Sequence, residues 1–177
     1  MLVILLLAFA VSLYFAEQAV GFASPWFALV AMFSVLGVAA FSQPLFVLGV
    51  PKALRGLRAW ESAPQLHALL HVPAFGKLLT RRPLSYLNRS VYLRPGADDV
   101  ANLRARIEAA EAAHFWAALV LVPFIGSALV RRSWSAVMGL MLVEVVVNVY
   151  PILHLRAVRG RVERVESRRS KRFEAVV

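Results

Sequence analysis

A glutamate and a histidine near the middle of the sequence are the residues whose types and spacing best suit catalysis. Glu111 and His114 lie in a stretch with helical periodicity, and a spacing of three residues places them on one face of the helix. A carboxylate beside an imidazole fixes the tautomer of the ring and stabilises its protonated form, so the ring can act as a general base. The alternative is a polar pair that lies at the water boundary of a membrane helix and takes no part in catalysis.

A second group of polar residues follows closer to the C-terminus. Asn148 lies inside an apolar stretch, where an amide without a partner is costly, so we expect it to face other polar groups. Pro151 frees a backbone carbonyl one helical turn earlier, which can open a polar pocket within a helix bundle. Arg156, Arg159 and Arg161 follow, and guanidinium groups bind phosphates through paired hydrogen bonds. The arginines alone are more typical of a positive-inside membrane anchor, whereas arginines that follow a buried Asn are harder to explain as an anchor.

Composition shows which kind of protein must position these residues. Of the 177 residues, 60% are hydrophobic and 17% are charged, whereas soluble domains are about 45–50% apolar and about 25% charged. The mean hydropathy is +0.67. The chain has no cysteine, which excludes disulfide scaffolds, thiol catalysis and cysteine-ligated metal sites. The sequence therefore predicts an all-α integral membrane protein with a single membrane domain over residues 1–177.

Four apolar stretches in the sequence suit membrane-crossing helices, which need about 20 apolar residues each. We predict four transmembrane helices, at about residues 1–16, 25–47, 114–130 and 133–155. Residues 52–113 between the second and third spans are predicted to be an amphipathic cytoplasmic segment, and residues 156–177 a basic tail. The third helix is expected to begin near Asp99 and to enter the membrane as one long rod.

Positive charge is concentrated beside the predicted spans. The chain has 20 basic and 10 acidic residues, a net charge of +10. Most bases lie in the cytoplasmic segment and the tail, as the positive-inside rule expects of a multi-pass cell-membrane protein, and they suit anionic lipid headgroups. Arg131 and Arg132 are the exception, because the four-span arrangement places them on the outer side. No recognition motif accompanies the charge, so we expect no nucleic-acid partner, and the sequence does not indicate an oligomeric state.

The polar residues form a series that is similar to that of a known family. In order, the series is Glu111-x-x-His114-x-Trp116, Val122-Pro123, Asn148, Pro151, Arg156, Arg159 and Arg161, with a looser likeness at Trp60-Glu61 and over residues 72–77. This series resembles the glycosyl-4,4'-diaponeurosporenoate acyltransferase family, which performs the last acylation in staphyloxanthin-type carotenoid biosynthesis. The sequence departs from the family pattern at Trp116, Leu155 and Ala157.

The resemblance implies a transferase that moves a fatty acyl group to a hydroxyl of a lipid-like acceptor, such as a glycosylated carotenoid. Acyl-CoA or an acyl carrier protein would be the donor substrate, with no other cofactor and no metal. In this scheme His114 deprotonates the acceptor hydroxyl, Glu111 orients the ring, and Asn148 donates to the developing oxyanion. No Ser, Thr or Cys stands out as a covalent nucleophile, so we expect direct transfer.

The substrate-binding residues follow from the same resemblance. Arg156, Arg159 and Arg161 would bind the phosphates of the donor at the cytoplasmic surface. Glu61 and Tyr150 are further candidates for substrate binding, with no role that the sequence defines.

Three other functions also suit these residues. The first is a metal-dependent lipid enzyme, because Glu-x-x-His occurs in carboxylate metal sites of helix bundles. Its candidate ligands are Glu111, His114, Glu144, His67, His71 and His154. The second is a small membrane methyltransferase or reductase, although the sequence has no glycine-rich cofactor segment. The third is a non-catalytic lipid-binding membrane subunit, in which the arginines bind headgroups.

Overall fold

The computed structural model describes residues 2–41, 47, 50–58, 64–81 and 100–174. All regular elements among these residues are helices, so the predicted all-α class is confirmed for them. In chain order they are α1 (Leu2–Val20), α2 (Pro25–Phe41), α3 (Lys52–Arg55), α4 (Pro64–Leu69), α5 (Val72–Leu79), α6 (Val100–Val130), α7 (Trp134–Val143), a π-helical segment (Glu144–Val149) and α8 (Tyr150–Glu174).

Among the described residues, three helical stretches are long and apolar enough to cross a membrane, which indicates a membrane protein. These stretches are Val3–Val20, Asn102–Val130 and Trp134–Val165. The helix α2 is apolar but has 17 residues, about 26 Å at 1.5 Å per residue, against a hydrocarbon thickness of about 30 Å. The predicted span 25–47 continues into residues that are not described, so the count of four spans stays a prediction.

The long helix α6 agrees with the rod expected from the periodicity of the sequence. It has 31 residues and continues past Pro123, which lies inside it. Neighbouring helices and side chains can satisfy the carbonyl that such a proline frees. Glu111 and His114 both lie on this helix. The amphipathic character predicted for residues 52–113 stays a prediction, since part of that segment lies outside the described residues.

Contacts divide the chain into two compact units. The apolar unit consists of residues 1–50 and 112–151, and the basic unit of residues 51–111 and 152–177. Within the apolar unit, side chains of α2, α6 and α7 form a buried cluster, and small residues in it allow close approach of the helices. Its buried members are Ala28, Met32, Ala117, Leu121 and Leu140.

The helix of the last predicted span changes its hydrogen-bonding register before Pro151. The segment Glu144–Val149 is π-helical, and the N–H of Tyr150 donates to the carbonyl of Val145, five residues earlier. A proline ring collides with the carbonyl four residues before it, here that of Val147, and the wider π turn makes room for the ring. The sequence predicts a disturbance at Pro151 but does not predict the π turn, a feature that is frequent at functional sites.

In the basic unit, α6 packs against α8 through a second apolar cluster. Its buried members are Leu103, Ile107, Leu155 and Val162. Glu111 lies one turn beyond Ile107, and Arg159 lies one turn beyond Leu155. Because residues four apart share a helix face, the apolar contact carries these two charged residues toward each other.

Candidate active site

Asn148 is the polar centre of the apolar unit. Its side chain is fully buried, and its Nδ2 donates to Oε2 of Glu144 at 2.8 Å. The same nitrogen reaches the sulfur of Met32 at 3.4 Å. The expectation that this amide faces a polar partner is confirmed by the contact with Glu144. The sulfur is only a weak acceptor, so one N–H of the amide is weakly held.

His114 of α6 lies against the same amide. Its ring lies close to the Asn148 side chain and to the Val147 backbone. The carbonyl of Val147 is the one that Pro151 leaves without an α-helical donor, because proline has no N–H. An imidazole N–H can serve as that donor, which fixes the ring and leaves its other nitrogen for chemistry.

Two polar atoms of this pair are buried without a hydrogen-bond partner. Within the part of the chain that the structure describes, neither Nδ1 of His114 nor Oδ1 of Asn148 has a hydrogen-bond partner. A buried polar atom without a partner costs about 1–3 kcal/mol, and proteins keep such atoms mainly where they have a role. A ring nitrogen can accept the proton of a hydroxyl, and the N–H of a neighbouring amide can donate a hydrogen bond to the hydroxyl oxygen.

Glu111 in the basic unit is held by two arginines of α8. Its Oε1 accepts a hydrogen bond from Nε of Arg156 at 2.7 Å, and its Oε2 lies 3.0 Å from Nη1 of Arg159. The Glu111 side chain is 9% exposed, Arg156 is 14% exposed and Arg159 is 2% exposed. The bond from Arg156 is charge-assisted and short, which makes it one of the stronger kinds in proteins, and Arg159 adds an ion pair on the other carboxylate oxygen.

The same two arginines also bind the short helix α3. Arg156 donates from Nη2 to the carbonyl of Leu54 at 2.8 Å, and Arg159 donates from Nη2 to the carbonyl of Arg55 at 2.7 Å. Both carbonyls lie at the C-terminal end of α3, where carbonyl groups have no helical donor and attract cations. The arginines therefore connect α3, α6 and α8 within the basic unit.

Among the described residues, Glu111 is the carboxylate that faces both guanidinium groups of the arginine cluster. Arg159 is almost fully buried by its contacts with Glu111 and α3, whereas Arg156 keeps an accessible edge. Arg161, two residues further on, is exposed. Arg156 and Arg161 are thus the arginines of this series that keep accessible surface, and Arg159 is the buried one.

A buried histidine lies elsewhere in the basic unit, on α8. His154 is 8% exposed and packs edge-on against Phe75 of α5, with ring centroids 6.3 Å apart. A Cβ atom at Gly76 would lie 2.6 Å from Cε1 of His154, closer than real Cβ contacts. Glycine at this position therefore lets the His154 ring lie directly against α5.

One stretch of the chain matches a known protein family. The model of the glycosyl-4,4'-diaponeurosporenoate acyltransferase family matches residues 51–168, more than half of the chain. The chain belongs to this family. Membership indicates an acyltransferase, and the resemblance drawn from the polar residues is thereby confirmed. No curated protein and no solved structure matches the chain.

The matched region of the glycosyl-4,4'-diaponeurosporenoate acyltransferase family contains all the site residues predicted from the sequence. The structure places them in two groups, each within one unit. His114 and Asn148 lie together in the apolar unit, and Glu111, Arg156 and Arg159 lie together in the basic unit. Those outside the two groups are Arg161, which is exposed, Tyr150, which is half-buried at the start of α8, and Glu61, which lies outside the described residues.

Several contacts at the site of this family member could not be predicted from the sequence by a search for catalytic residue types. Glu144 enters the sequence analysis only as a candidate metal ligand, although its spacing of four from Asn148 places the two on one helical face. Met32 and the carbonyls of Leu54 and Arg55 carry no sequence signal, because they come from distant parts of the chain.

The metal alternative gains no support from the side chains that are described. Among those residues, no three His, Asp or Glu side chains lie close enough together to hold a metal ion. Glu111 faces arginines instead, and Glu144 faces an amide. Cationic and amide neighbours satisfy a carboxylate without a metal.

Proposed function

We propose that this protein is a membrane-embedded acyltransferase that moves a fatty acyl group from a thioester donor to a hydroxyl of a glycosylated carotenoid or a related lipid-like acceptor. The family match over residues 51–168 is the observation that carries this proposal. Acyl-CoA or an acyl carrier protein is the donor. The protein lies in the cell membrane with its basic segments on the cytoplasmic side, where the donor is dissolved and anionic headgroups are present.

His114 acts as the general base in this proposal. The acceptor hydroxyl donates its proton to the free nitrogen of the ring as its oxygen bonds to the thioester carbonyl carbon. The carbon–sulfur bond then breaks, and the leaving thiolate takes the proton back from the imidazolium. Support comes from the burial of the ring beside Asn148 and from its free Nδ1. A positioned general base contributes about 10²–10⁴ in rate.

Asn148 stabilises the oxyanion that forms when the hydroxyl attacks. Its Nδ2 carries two N–H groups, one directed to Glu144 and one to the sulfur of Met32. The bond to sulfur is weak, so that N–H turns to a negatively charged oxygen at little cost. Glu144 keeps the amide oriented through the reaction, which is the preorganisation that makes such donors effective.

The arginines of α8 bind the phosphate groups of the donor. Arg156 and Arg161 make the contact, because both keep accessible surface. Arg159 and Glu111 position Arg156, since they fix the geometry of the cluster from its buried side. Orientation of the His114 ring by Glu111, as the spacing suggests, stays a prediction. Glu61 and Tyr150 stay candidates for contact with the substrate.

Acyl transfer by the purified protein tests this function. The protein in detergent is incubated with radiolabelled palmitoyl-CoA or palmitoyl-acyl carrier protein and a glycosylated carotenoid acid. The control acceptor is the same carotenoid acid without the sugar. We expect a labelled, more apolar product with the glycosylated acceptor only. Tight binding of the acceptor without any product from either donor would contradict the proposal and favour a non-catalytic lipid-binding subunit.

A further inference from the structure

A small cavity lies at one end of the apolar unit, between the turn that joins α1 to α2 and the turn that joins α6 to α7. Its volume is about 120 Å³. Most of its lining is apolar, with Phe22, Pro25, Phe124 and Leu140 among the contributors. The three rings of Phe22, Phe27 and Phe124 pack against one another here, with centroids 5.0–5.8 Å apart. The cavity is therefore an apolar recess, and one side of it is formed by packed aromatic rings.

A single cation lines this recess. Arg131 belongs to the lining, together with the hydroxyl-bearing residues Ser24 and Ser127. Arg131 is exposed, and among the described residues it has neither an acidic partner nor a hydrogen bond from its side chain. An unpaired guanidinium beside two hydroxyls is a suitable receptor for a phosphate group.

The recess belongs to the part of the chain that is built from membrane-type helices. Val3–Val20 and Asn102–Val130 are long and apolar enough to cross a bilayer, and the recess lies where they end. The ends of such helices lie at the level of the lipid headgroups. The apolar recess and its cation therefore lie at the depth of the bilayer where the phosphate of a phospholipid is joined to its acyl chains.

We propose that this recess binds one phospholipid with a net negative headgroup. Its phosphate contacts Arg131 and the nearby hydroxyls, and the first methylene groups of an acyl chain enter the recess. The size is suitable, because an apolar cavity of about 150 Å³ holds a benzene-sized group. Binding of an anionic lipid also gives Arg131 a role in the α6–α7 turn, which the four-span arrangement places on the side that is poor in positive charge. It is independent of the acyl transfer proposed above.

Arg132 provides a matched control for a test of this site. It is the neighbouring residue, carries the same charge and is exposed, but it does not line the recess. Binding of dioleoyl phosphatidylglycerol and of dioleoyl phosphatidylcholine to the full-length protein in detergent is measured by native mass spectrometry. We expect the Arg131→Gln variant to bind phosphatidylglycerol about tenfold more weakly, and Arg132→Gln to stay within about twofold of the wild type.

A second variant tests the apolar half of the site. Ala136 lines the recess, so Ala136→Leu fills part of it and should weaken phosphatidylglycerol binding without a change of net charge. An equal loss in the Arg131 and Arg132 variants would overturn the proposal, because it would indicate attraction to surface charge in general. Equal binding of phosphatidylcholine, or full competition by inorganic phosphate at the lipid concentration, would overturn it as well.

Discussion

Removal of the Glu111 charge is the sharpest perturbation of the basic unit. In the Glu111→Gln variant, Arg156 and Arg159 lose the carboxylate that both of them contact. The loss of one partner from a buried ion pair costs about 3–5 kcal/mol, because a buried charge is left uncompensated. The side chains here are 2–14% exposed, and the glutamine oxygen can still accept one hydrogen bond. We therefore expect a loss at the lower end, about 3 kcal/mol in the free energy of unfolding.

Glu108 on the same helix is the matched control for this substitution. It pairs with Arg104 at 3.0 Å, and the two side chains are 33% and 48% exposed. Exposed pairs contribute about 0–1 kcal/mol, so Glu108→Gln should change the stability little. Unfolding is measured by titration with sodium dodecyl sulfate in mixed micelles, followed by circular dichroism. Equal stability of the two variants would refute the view that Glu111 holds the arginines.

A double mutant shows whether the uncompensated charge is the cause. Arg159→Met removes one cation from the Glu111→Gln background, so the double variant should lose less stability than the sum of the single variants. Residues in direct contact couple by about 0.5–3 kcal/mol. Strict additivity would mean that the two residues do not interact as the 3.0 Å contact requires.

Three further predictions concern the two candidate groups and the contact between Gly76 and His154. Arg156→Lys keeps the charge but removes the planar guanidinium group that can make paired hydrogen bonds to a phosphate. The KM for the donor should therefore rise, while membrane insertion, measured by fractionation, stays normal. Asn148→Leu should lower kcat about 10²–10³-fold in the acyl-transfer assay, because it removes the side-chain N–H that stabilises the oxyanion. The KM for the acceptor should change little. Gly76→Ala should destabilise the protein by about 1–3 kcal/mol in the micelle titration through contact with His154. Gly126→Ala, where no atom lies within 4 Å of the added Cβ, should show no such loss.

Much of the helical architecture follows directly from the sequence. The stretch before Arg131 is free of charged residues from Ala112 to Val130, and the periodicity upstream continues the same helix back to Val100. Both signals are local, so they predict α6 well. The π-helical register before Pro151 is different, because it depends on how the chain accommodates a proline ring and not on the helical propensity of any one residue.

The candidate site is predictable in its residue types and less so in its contacts. Periodicity places Glu111 and His114 on one face, but it does not tell which partners each side chain meets. In the structure Glu111 meets arginines 45 and 48 residues away, whereas His114 meets Asn148. Such long-range contacts depend on the packing of α6 against α8, which no local pattern in a single sequence records.

Acyl transfer by the wild-type protein and the His114→Gln variant decides whether this histidine is the general base. Glutamine has a similar size and keeps hydrogen bonding, but it cannot accept and return a proton at neutral pH. Turnover is measured with radiolabelled donor in detergent at equal yield of folded protein. We predict a loss of about 10²–10⁴ in rate for the variant. Near-normal turnover would contradict the proposed mechanism and leave His114 with a structural role.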